Sequence, residues 1–573
     1  MGCCVKVVLG YLKPYAGRVA VGVSIKFIAA LLELVLPLLL ASVIDDLVPA
    51  RDLPGIWRTG ILMGVLAFGA AGCNITANRM AAWVSMEVTR ELRRDLYRKV
   101  QALSCAQMDR FSASSMVSRL TNDTYNVHQM FDKVQRGGIR APMLVLGGLV
   151  LTFLQQPVLA LVQLAVSLLT FLTITLVTRR GIPFYTQAQQ AVDTVVRILR
   201  ENASGVRVIK ALACQGRERE RFETANRASR RAEEQAGWVM AMTNPITDFL
   251  LNTGLTAVVL VGAVWVNAGR MQRGQIVAFL TYFTLIQSAT LGIAKVFVRI
   301  SKGAASARRI REILQAPTQQ PVEPAGEERP GELGMEEATF SYLGVEPDLD
   351  RASFKLHRGE TLGILGPTGS GKTTLVSLLL RLYDADSGVV WVGGKDVRTQ
   401  DRRDLQTRFG VVFQADTLIA GSVYENISFL RGLSREAVEA AARTAQAWEF
   451  IQNLPQGLDT HVDLRGANLS GGQRQRLLIA RALAGRPSIL VLDSADSALD
   501  YRTAASFRAA LRRDFPGVTL VVISERVSSV READRILVLE SGRIDAQGCH
   551  EELLASCPRY RQMAELQMGE GAV

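Results

Sequence analysis

Long apolar runs fill roughly the first 300 residues of this chain, whereas the remainder alternates short apolar runs with amphipathic stretches. A helix needs about 20 apolar residues to cross a hydrocarbon layer of about 30 Å. Six runs meet that length, at roughly 19–43, 56–80, 138–155, 158–178, 247–268 and 275–297. Their number and length predict six membrane-spanning helices rather than buried helices of a large water-soluble protein.

The segments between and after these runs predict the domain organisation. The two long connections, after the second and fourth spans, are rich in helix-forming residues, so we expect them to continue the spans as helices beyond the membrane. A proline-rich stretch at 315–333 cannot form a core and separates two domains, at 1–314 and 334–573. In the second domain the runs TLGILG, FGVVFQ, SILVLD and TLVVIS alternate with helical segments, which predicts a largely parallel sheet flanked by helices.

The net charge of +12 is distributed in a way typical of membrane proteins. Basic residues occupy the N-terminus and both long connections, whereas the first short loop is acidic, with Asp45, Asp46 and Asp52. Arg270 and Arg273 in the last short loop are a mild exception. The positive-inside rule therefore predicts cytoplasmic termini and a lipid bilayer, not nucleic acid, as the partner. The short N-terminus favours a bacterial cytoplasmic membrane, and no charge cluster in the sequence suggests an ionic substrate.

The second domain contains a phosphate-binding loop, GPTGSGKTT, directly after an apolar strand and before an apolar helix. Its glycines allow backbone N–H groups to close around phosphate oxygens. Lys372 is predicted to neutralise β- and γ-phosphates, and Thr373 to bind Mg²⁺ together with Asp493 at the end of SILVLD. The predicted loop contacts to ATP are Gly366, Thr368, Gly369, Ser370, Gly371, Lys372, Thr373 and Thr374.

A second anion-binding motif, LSGGQRQR at 469–476, places two glycines after a serine at the start of a helix. One nucleotide needs a single phosphate loop, so this second motif suggests that ATP is bound across an interface between two chains. With these motifs the sequence resembles the ATP-binding-cassette (ABC) family, and within it the half-transporters that fuse six spans to one cassette. The resemblance covers nearly the whole chain.

The resemblance implies a membrane α-helical bundle with long cytoplasmic extensions, fused to an α/β P-loop ATPase cassette that uses ATP and Mg²⁺. It also implies that the long connections end in short helices that dock on the cassettes. Tyr342 matches the aromatic that stacks on adenine, and Gln414 matches the glutamine that senses Mg²⁺ and γ-phosphate. The SALD loop, Ser497 to Asp500, matches the loop that crosses to the partner cassette. The residues implied to contact the partner's ATP are Ser470, Gly471, Gly472 and Gln473.

Three positions depart from the family pattern. Ser494 stands where the family has the glutamate that activates water, and loss of a positioned base typically costs about 10²–10⁴ in rate. Glu525 replaces the histidine that contacts γ-phosphate. Leu464 stands in the segment before the signature that normally reads G-E-R-G, with Asp463 one position away as a substitute.

These departures lead to the interpretation that the chain is one subunit of a heterodimeric, multidrug-type exporter. Its own site would bind ATP with little turnover, while its signature would complete an active site on a partner half-transporter with intact glutamate and histidine. The expected substrate is amphipathic: a drug, a lipid or a peptide. Two alternatives stay open, a homodimer in which Glu525 serves as a relocated base, and an ATP-gated regulatory membrane subunit without transport.

Polar residues within the spans are candidates for substrate contact or for pairing between helices. Lys26 and Glu33 lie seven positions apart in the first span and therefore share a helix face. The ELVLP stretch that contains Glu33 is typical of the family, which favours a structural role for this residue. The further candidates are Asn74, Asn78, Asp248, Asn252 and Gln287.

Overall fold

The computed structural model describes residues 7–317, 328–495 and 499–568. Most of the predicted linker (318–327) and Ser497 of the SALD loop therefore lie outside the described residues. The chain divides into two compact units. The first comprises Met1–Gln101 and Ala113–Ala316, and the second comprises Ala102–Ser112 and Pro317–Val573.

Six helical stretches in the first unit are long and apolar enough to cross a membrane, which confirms the predicted number of spans among the described residues. The helices continue well beyond the apolar runs; Leu53–Gln101 has 49 residues and Pro157–Ser204 has 48. The expected helical extensions are therefore present. The α-helices of this unit are Ala16–Ser42, Leu53–Gln101, Ala113–Ser118, Thr124–Arg136, Arg140–Gln155, Pro157–Ser204, Val206–Ala211, Gln215–Ala241, Thr243–Asn267 and Arg273–Leu314, with π-helical turns at Val43–Leu47 and Arg119–Asp123.

The last helix of the first unit, Arg273–Leu314, contributes to two hydrophobic clusters among the described residues. Tyr282 packs in one cluster and donates a hydrogen bond of 2.6 Å to the backbone oxygen of Leu34. Phe283 packs in the other, where a Cβ atom at Gly254 would lie only 2.3 Å from its ring. Glycine at that position allows the two helices to approach closely.

A buried carboxylate ties the extension of the last helix to the π-helical turn Arg119–Asp123. Asp123 is 1% exposed and accepts hydrogen bonds of 2.8 Å from both Ser306 Oγ and Arg309 Nε. The pairing compensates the desolvation of the carboxylate, because a buried charge is tolerated only when it is hydrogen-bonded or paired.

The second unit contains twelve described strands in three sheets. The largest has the order β12-β11-β3-β10-β9-β6, and only β12 is antiparallel to its neighbour. All four predicted apolar runs are strands of this sheet, which confirms the parallel arrangement. A four-stranded antiparallel sheet, β2-β1-β4-β5, and the pair β7-β8 were not predicted. The strands are β1 Leu333–Phe340, β2 Leu349–Leu356, β3 Thr361–Leu365, β4 Ser387–Val392, β5 Lys395–Asp396, β6 Phe409–Val412, β7 Gly421–Ser422, β8 His461–Val462, β9 Ile489–Asp493, β10 Thr519–Ser524, β11 Arg535–Glu540 and β12 Arg543–Gly548.

Two helices that follow glycine-rich motifs pack in different cores of this unit. Lys372–Leu379 contributes to a core with the strands of both larger sheets, whereas Gly471–Ala484 contributes to a mainly helical core. The α-helices of this unit are Cys105–Phe111, Lys372–Leu379, Arg402–Thr407, Val423–Ser428, Arg435–Thr444, Trp448–Gln452, Gly471–Ala484, Tyr501–Asp514, Val527–Val530, His550–Ser556 and Pro558–Met568.

Gly363 in β3 is a position where the fold tolerates no side chain. A Cβ atom there would lie 2.7 Å from the Cβ atom of Val530, on the short helix Val527–Val530. We expect Gly363→Ala to lower the free energy of unfolding by about 1–3 kcal/mol through overpacking. Thermal unfolding of the full chain measures the effect.

Gly216→Ala is the control for this substitution, because no atom lies within 4 Å of a Cβ atom at Gly216. It lies on the helix Gln215–Ala241, where alanine is favoured over glycine, so stability should stay equal or rise. Equal melting temperatures for Gly363→Ala and the parent chain would show that the short helix is not held against β3.

Candidate functional site

Three strand ends meet at one edge of the six-stranded sheet. In the parallel register Leu365 of β3 pairs with Ser524 of β10, and Ile523 of β10 pairs with Asp493 of β9. The phosphate loop, Ser494 and Glu525 directly follow these strands in the chain. The register therefore brings together groups that are far apart in sequence.

The phosphate loop is a cradle in which glycine is required at particular positions. A Cβ atom at Gly366 would lie 2.4 Å from the backbone oxygen of Leu539, and one at Gly371, whose φ is +95°, would lie 2.7 Å from that of Asp348. The Ser370 hydroxyl is buried and has no hydrogen-bond partner among the described residues. This buried hydroxyl lies in a loop of glycines, directly before the helix that begins at Lys372. Such an arrangement fits a bound phosphate group.

Lys372 is buried at the bottom of this cradle. Its Nζ atom donates hydrogen bonds of 2.8 Å to the backbone oxygens of Gly366 and Pro367 and lies 3.9 Å from Glu525 Oε1. Burial lowers the pKa of Lys372, and the nearby carboxylates of Glu525 and Asp493 oppose that shift. The ammonium group is thus held mainly by neutral oxygens and stays available to a phosphate.

Asp493 and Thr373 place two oxygen atoms side by side. The Thr373 hydroxyl donates to Asp493 Oδ2 at 3.2 Å, and the carboxylate is buried. Burial raises the pKa of Asp493, while hydrogen bonds from Thr373 and Ser494 lower it. A carboxylate and a hydroxyl are oxygen ligands that suit Mg²⁺. Exposed Gln414 follows β6, which pairs in parallel with β9, so it lies at the same edge of the sheet.

Ser494 directs its hydroxyl at the neighbouring carboxylate. Its backbone is in the left-handed region, with φ of +56°, and its N–H group donates to the backbone oxygen of Ile523 at 2.9 Å. The hydroxyl donates to Asp493 Oδ1 at 3.3 Å. A serine hydroxyl at this position cannot accept a proton from water at neutral pH, so it offers no general base.

Glu525 reaches across to the phosphate loop. It accepts a hydrogen bond of 2.7 Å from the Thr368 hydroxyl. Its backbone oxygen accepts from Gln567 Nε2 at 2.9 Å, and Gln567 Oε1 accepts from the N–H group of Val527 at 2.8 Å. Sequence reasoning missed Gln567, because no local pattern marks a residue of the C-terminal helix as a contact of this loop.

Tyr342 belongs to a cluster of three aromatic rings. It is 43% exposed and makes edge contacts with Phe340 and Tyr383, at centroid distances of 4.9 and 5.0 Å. The Tyr383 hydroxyl donates to Asp109 at 2.5 Å, on the short helix Cys105–Phe111. Burial and this hydrogen bond raise the pKa of Tyr383. Sequence reasoning missed Tyr383 and Asp109, whose contact spans 274 positions.

The signature motif is preformed but separate from the phosphate loop. Ser470 caps the helix Gly471–Ala484 and exchanges hydrogen bonds with Gln473, as acceptor at 3.3 Å and donor at 3.0 Å. No atom lies within 4 Å of a Cβ atom at Gly471, so the adjoining helix start is open. In the described parts of the chain, no hydrogen bond joins this motif to Gly366–Thr374. Each motif therefore presents its own anion-binding helix terminus.

Two other segments from the sequence have local roles. Asp500 caps the helix Tyr501–Asp514 by accepting hydrogen bonds from the N–H and hydroxyl groups of Thr503, at 3.0 and 2.7 Å. These bonds lower the pKa of Asp500. Leu464 is 66% exposed and precedes Arg465, whose φ is +62°. An apolar side chain is thus presented to solvent at this position.

The polar candidates in the first span belong to one network. Lys26 Nζ donates to the amide oxygens of Asn74 and Asn78, at 2.7 and 2.9 Å. Glu33 accepts from Asn74 at 2.8 Å and forms an ion pair of 2.6 Å with Arg140. Glu33 therefore links helices, in agreement with the structural role favoured from the sequence.

The remaining polar candidates differ in their surroundings. Buried Gln287 donates a hydrogen bond of 2.7 Å to the Thr170 hydroxyl and so pairs two helices. Asp248 and Asn252 are exposed, and Asn252 donates to the backbone oxygen of Asp248. Within this chain these two side chains face outward.

The fold and this site are those of an ABC transporter. Residues 19–290 match the family described as ABC transporter transmembrane region, and residues 349–497 match the family described as ABC transporter. The chain belongs to the ABC transporter family, with its transmembrane and ATP-binding domains fused, and is part of an ATP-hydrolysing translocase. The glycine cradle and the paired oxygens of Thr373 and Asp493 fit the ATP and Mg²⁺ that such a domain uses.

Relatives match over almost the full length. An uncharacterised ABC transporter ATP-binding protein of Mycobacterium tuberculosis is 34% identical, over 97% of each chain. An ATP-dependent lipid A-core flippase of Thiobacillus denitrificans is 31% identical, over 98% of each chain. A bacterial Atm1-family ABC exporter with ATP bound is 23% identical, with a TM-score of 0.84 over 97% of this chain and 99% of the other. That structure shares the fold.

The lowered pKa of Lys372 predicts a pH dependence of nucleotide binding. As the pH rises above neutral, this lysine loses its charge earlier than an ordinary lysine, whereas bound phosphates favour the charged form. We expect the affinity for Mg-ATP to fall toward alkaline pH, with proton uptake on binding in that range. Calorimetry in buffers of different ionisation enthalpy measures both quantities.

Lys372→Arg is the matched control, because a guanidinium group stays charged throughout this range. Its affinity, even if weaker, should depend less on pH. A parent protein whose affinity and proton uptake do not change with pH would contradict the assignment of Lys372 to the phosphates.

Proposed function

We propose that this chain is one subunit of a heterodimeric exporter. It binds Mg-ATP at a site with little turnover and supplies its signature motif to the active site of a partner half-transporter. The cassettes would close on ATP binding, and hydrolysis at the partner's site would reset the cycle. The partner carries the intact glutamate and histidine that this chain lacks.

The observation that carries the proposal is the replacement of the general base by Ser494. Its hydroxyl is bonded to Asp493, the proposed Mg²⁺ ligand, and cannot take a proton from water. The binding elements are nevertheless complete: the glycine cradle, Lys372, and the pair Thr373–Asp493. A site that keeps its binding groups and lacks a base is suited to hold a nucleotide rather than to turn it over.

The signature motif supports binding across two chains. Its helix packs in a different core from the helix of the phosphate loop, and its start is open at Gly471. A nucleotide in this chain's cradle would therefore receive its second anion-binding helix from another cassette. In the same head-to-tail arrangement, the partner's ATP would be contacted by this chain's signature residues, Ser470, Gly471, Gly472 and Gln473. The SALD loop that ends at Asp500 would cross to the partner.

Exposed apolar side chains at one end of the first unit are further evidence for a second cassette, supplied by a partner chain. The short helix Val206–Ala211 and the residue after it leave Val206 45%, Val208 61% and Leu212 68% exposed. Exposed apolar groups at the end of a long helical extension are expected to be covered by a partner. We propose that the partner's cassette covers them.

The basic residues at the N-terminus and in the long connections support cytoplasmic termini. We retain the domain boundaries at 1–314, 315–333 and 334–573 as part of the proposal. The substrate is amphipathic, and the relative named a lipid A-core flippase supports a lipid within that class.

The proposal predicts unequal effects of two substitutions on the ATPase activity of the complex. Gly471→Asp introduces a carboxylate at the signature helix, where it repels the partner's γ-phosphate, so most activity should be lost. Lys372→Ala affects only this chain's slow site and should reduce activity far less. Steady-state phosphate release by the complex, co-purified with its partner half-transporter, gives both rates.

Ala509→Asp is the control for the added charge, because Ala509 is exposed on the helix Tyr501–Asp514 of the same unit. It should keep the parent rate. Equal losses from Gly471→Asp and Lys372→Ala would contradict the asymmetric assignment.

One observation favours a second candidate, a homodimer in which Glu525 is a relocated base. Glu525 accepts a hydrogen bond from Thr368 and lies 3.9 Å from the Lys372 ammonium group. A carboxylate at this place could accept a proton from a water molecule beside the γ-phosphate. ATP hydrolysis by the chain purified alone distinguishes the two candidates.

Under the heterodimer proposal, the chain alone should hydrolyse ATP negligibly, and Glu525→Gln should leave this low rate unchanged. Under the homodimer alternative, the chain alone should be active, and Glu525→Gln should lower the rate by about 10²–10⁴. Robust activity of the isolated chain would overturn the heterodimer. Glu525→Asp, which keeps the carboxylate, is the matched comparison.

A further inference from the structure

The first unit encloses a cavity of about 760 Å³ with an unusual lining. Its walls come from five helices and carry seven cationic side chains. No charge cluster in the sequence suggested an ionic substrate. The cations come from three separate parts of the chain, so only the packing of the helices brings them together. They are Lys26, Lys133, Arg136, Arg140, Lys295, Arg299 and Lys302.

The cavity lies where the apolar runs meet the charged helical extensions. Asn74 and Asn78 are at the end of the apolar run 56–80, Arg140 is at the start of 138–155, and Lys295 is near the end of 275–297. The orientation proposed above places this boundary on the cytoplasmic side. A molecule bound here would have charged groups on one side and membrane-spanning apolar helices on the other.

The positive charge of the cavity is only partly neutralised. Arg140 pairs with Glu33, while Asp132 pairs with Arg136 at 2.6 Å and lies 3.7 Å from Lys133. Among the described residues, Lys295, Arg299 and Lys302 form no ion pair; Lys302 lies 5.8 Å from the centre of the Tyr185 ring. Two carboxylates therefore face seven cations.

Lys26 adds a buried cation whose hydrogen-bond partners are uncharged. It is 3% exposed, and its Nζ atom is held by the amide oxygens of Asn74 and Asn78. An ionisable group within a span is costly and usually marks a functional site. Here it sits in the wall of a cavity that already carries excess positive charge.

We propose that this cavity binds the anionic, phosphate-bearing head group of a membrane lipid as the transported substrate. Guanidinium and ammonium groups are the preferred protein ligands of phosphate, and few competing charges screen them in a cavity. The position at the boundary of the apolar runs favours a lipid over a free anion, because it leaves acyl chains beside apolar helices. This inference rests on the proposed exporter function and specifies its substrate class.

The test measures lipid binding by the full chain in detergent without nucleotide. The probes are fluorescent phosphatidylglycerol, which is anionic, and fluorescent phosphatidylcholine, which is zwitterionic. We expect phosphatidylglycerol to bind at least about ten-fold more tightly, because both lipids carry a phosphate but the excess positive charge of the cavity repels the choline cation of phosphatidylcholine. The triple variant Lys295→Gln, Arg299→Gln, Lys302→Gln should lose this preference, while its binding of phosphatidylcholine stays the same.

The control removes the same charge elsewhere in the unit, with Arg207→Gln, Arg227→Gln and Arg231→Gln. These arginines are exposed and do not line the cavity. This variant should bind like the parent. Equal affinity of the parent for the two lipids, or an equal loss in both triple variants, would overturn the proposal.

Competition by a soluble head group separates a lipid from a free anion. Glycerol phosphate should displace the lipid probe only weakly, because it lacks acyl chains. Displacement as strong as that by unlabelled lipid would overturn the lipid assignment in favour of a soluble anion. Binding requires no hydrolysis, so a failure here is distinguishable from a failure of the heterodimer proposal, which the ATPase measurements test.

Discussion

Parallel pairing between β3, β9 and β10 positions the phosphate loop, Asp493, Ser494 and Glu525 in the nucleotide site. The register places Leu365 beside Ser524 and Ile523 beside Asp493, so the residues that follow these strands must share one edge of the sheet. Backbone hydrogen bonds between the strands therefore bring the phosphate loop, Ser494 and Glu525 together, and the side-chain contacts among them add to this arrangement. A substitution at one strand end consequently changes the chemistry of a site whose shape is preserved.

The same local arrangement occurs in both units: a buried cationic side chain donates its hydrogen bonds to uncharged oxygen atoms. In the cassette, Lys372 donates to two backbone oxygens of the phosphate loop, and in the membrane unit, Lys26 donates to two asparagine amides. Neutral acceptors satisfy the hydrogen bonds of an ammonium group without cancelling its charge. Each arrangement thus keeps positive charge available to an incoming anion, a nucleotide phosphate in one unit and a head group in the other.

The parts of the fold predicted from sequence are those with local signals. The length of the apolar runs gave the six spans, and the runs before GPTGSGKTT and Ser494 gave strands of the main sheet. The antiparallel sheet was not predicted because β1 contains glutamates within its apolar pattern. The pairing of β1 with both neighbouring strands also contains irregularities of register. The contact of Tyr383 with Asp109 and the cationic cavity depend on tertiary packing over long sequence separations, for which no local pattern exists.

The two hydrogen bonds of Gln567 have a consequence for how the nucleotide site could be controlled. One amide side chain both donates to the oxygen of Glu525 and accepts from the N–H group of Val527, so the loop is held from the helix Pro558–Met568. A protein or small molecule that displaced this helix would release both bonds at once. Such an effector would be thermodynamically linked to the nucleotide without touching it. The C-terminal helix is thus part of the core of the cassette and also supports the loop that carries Glu525.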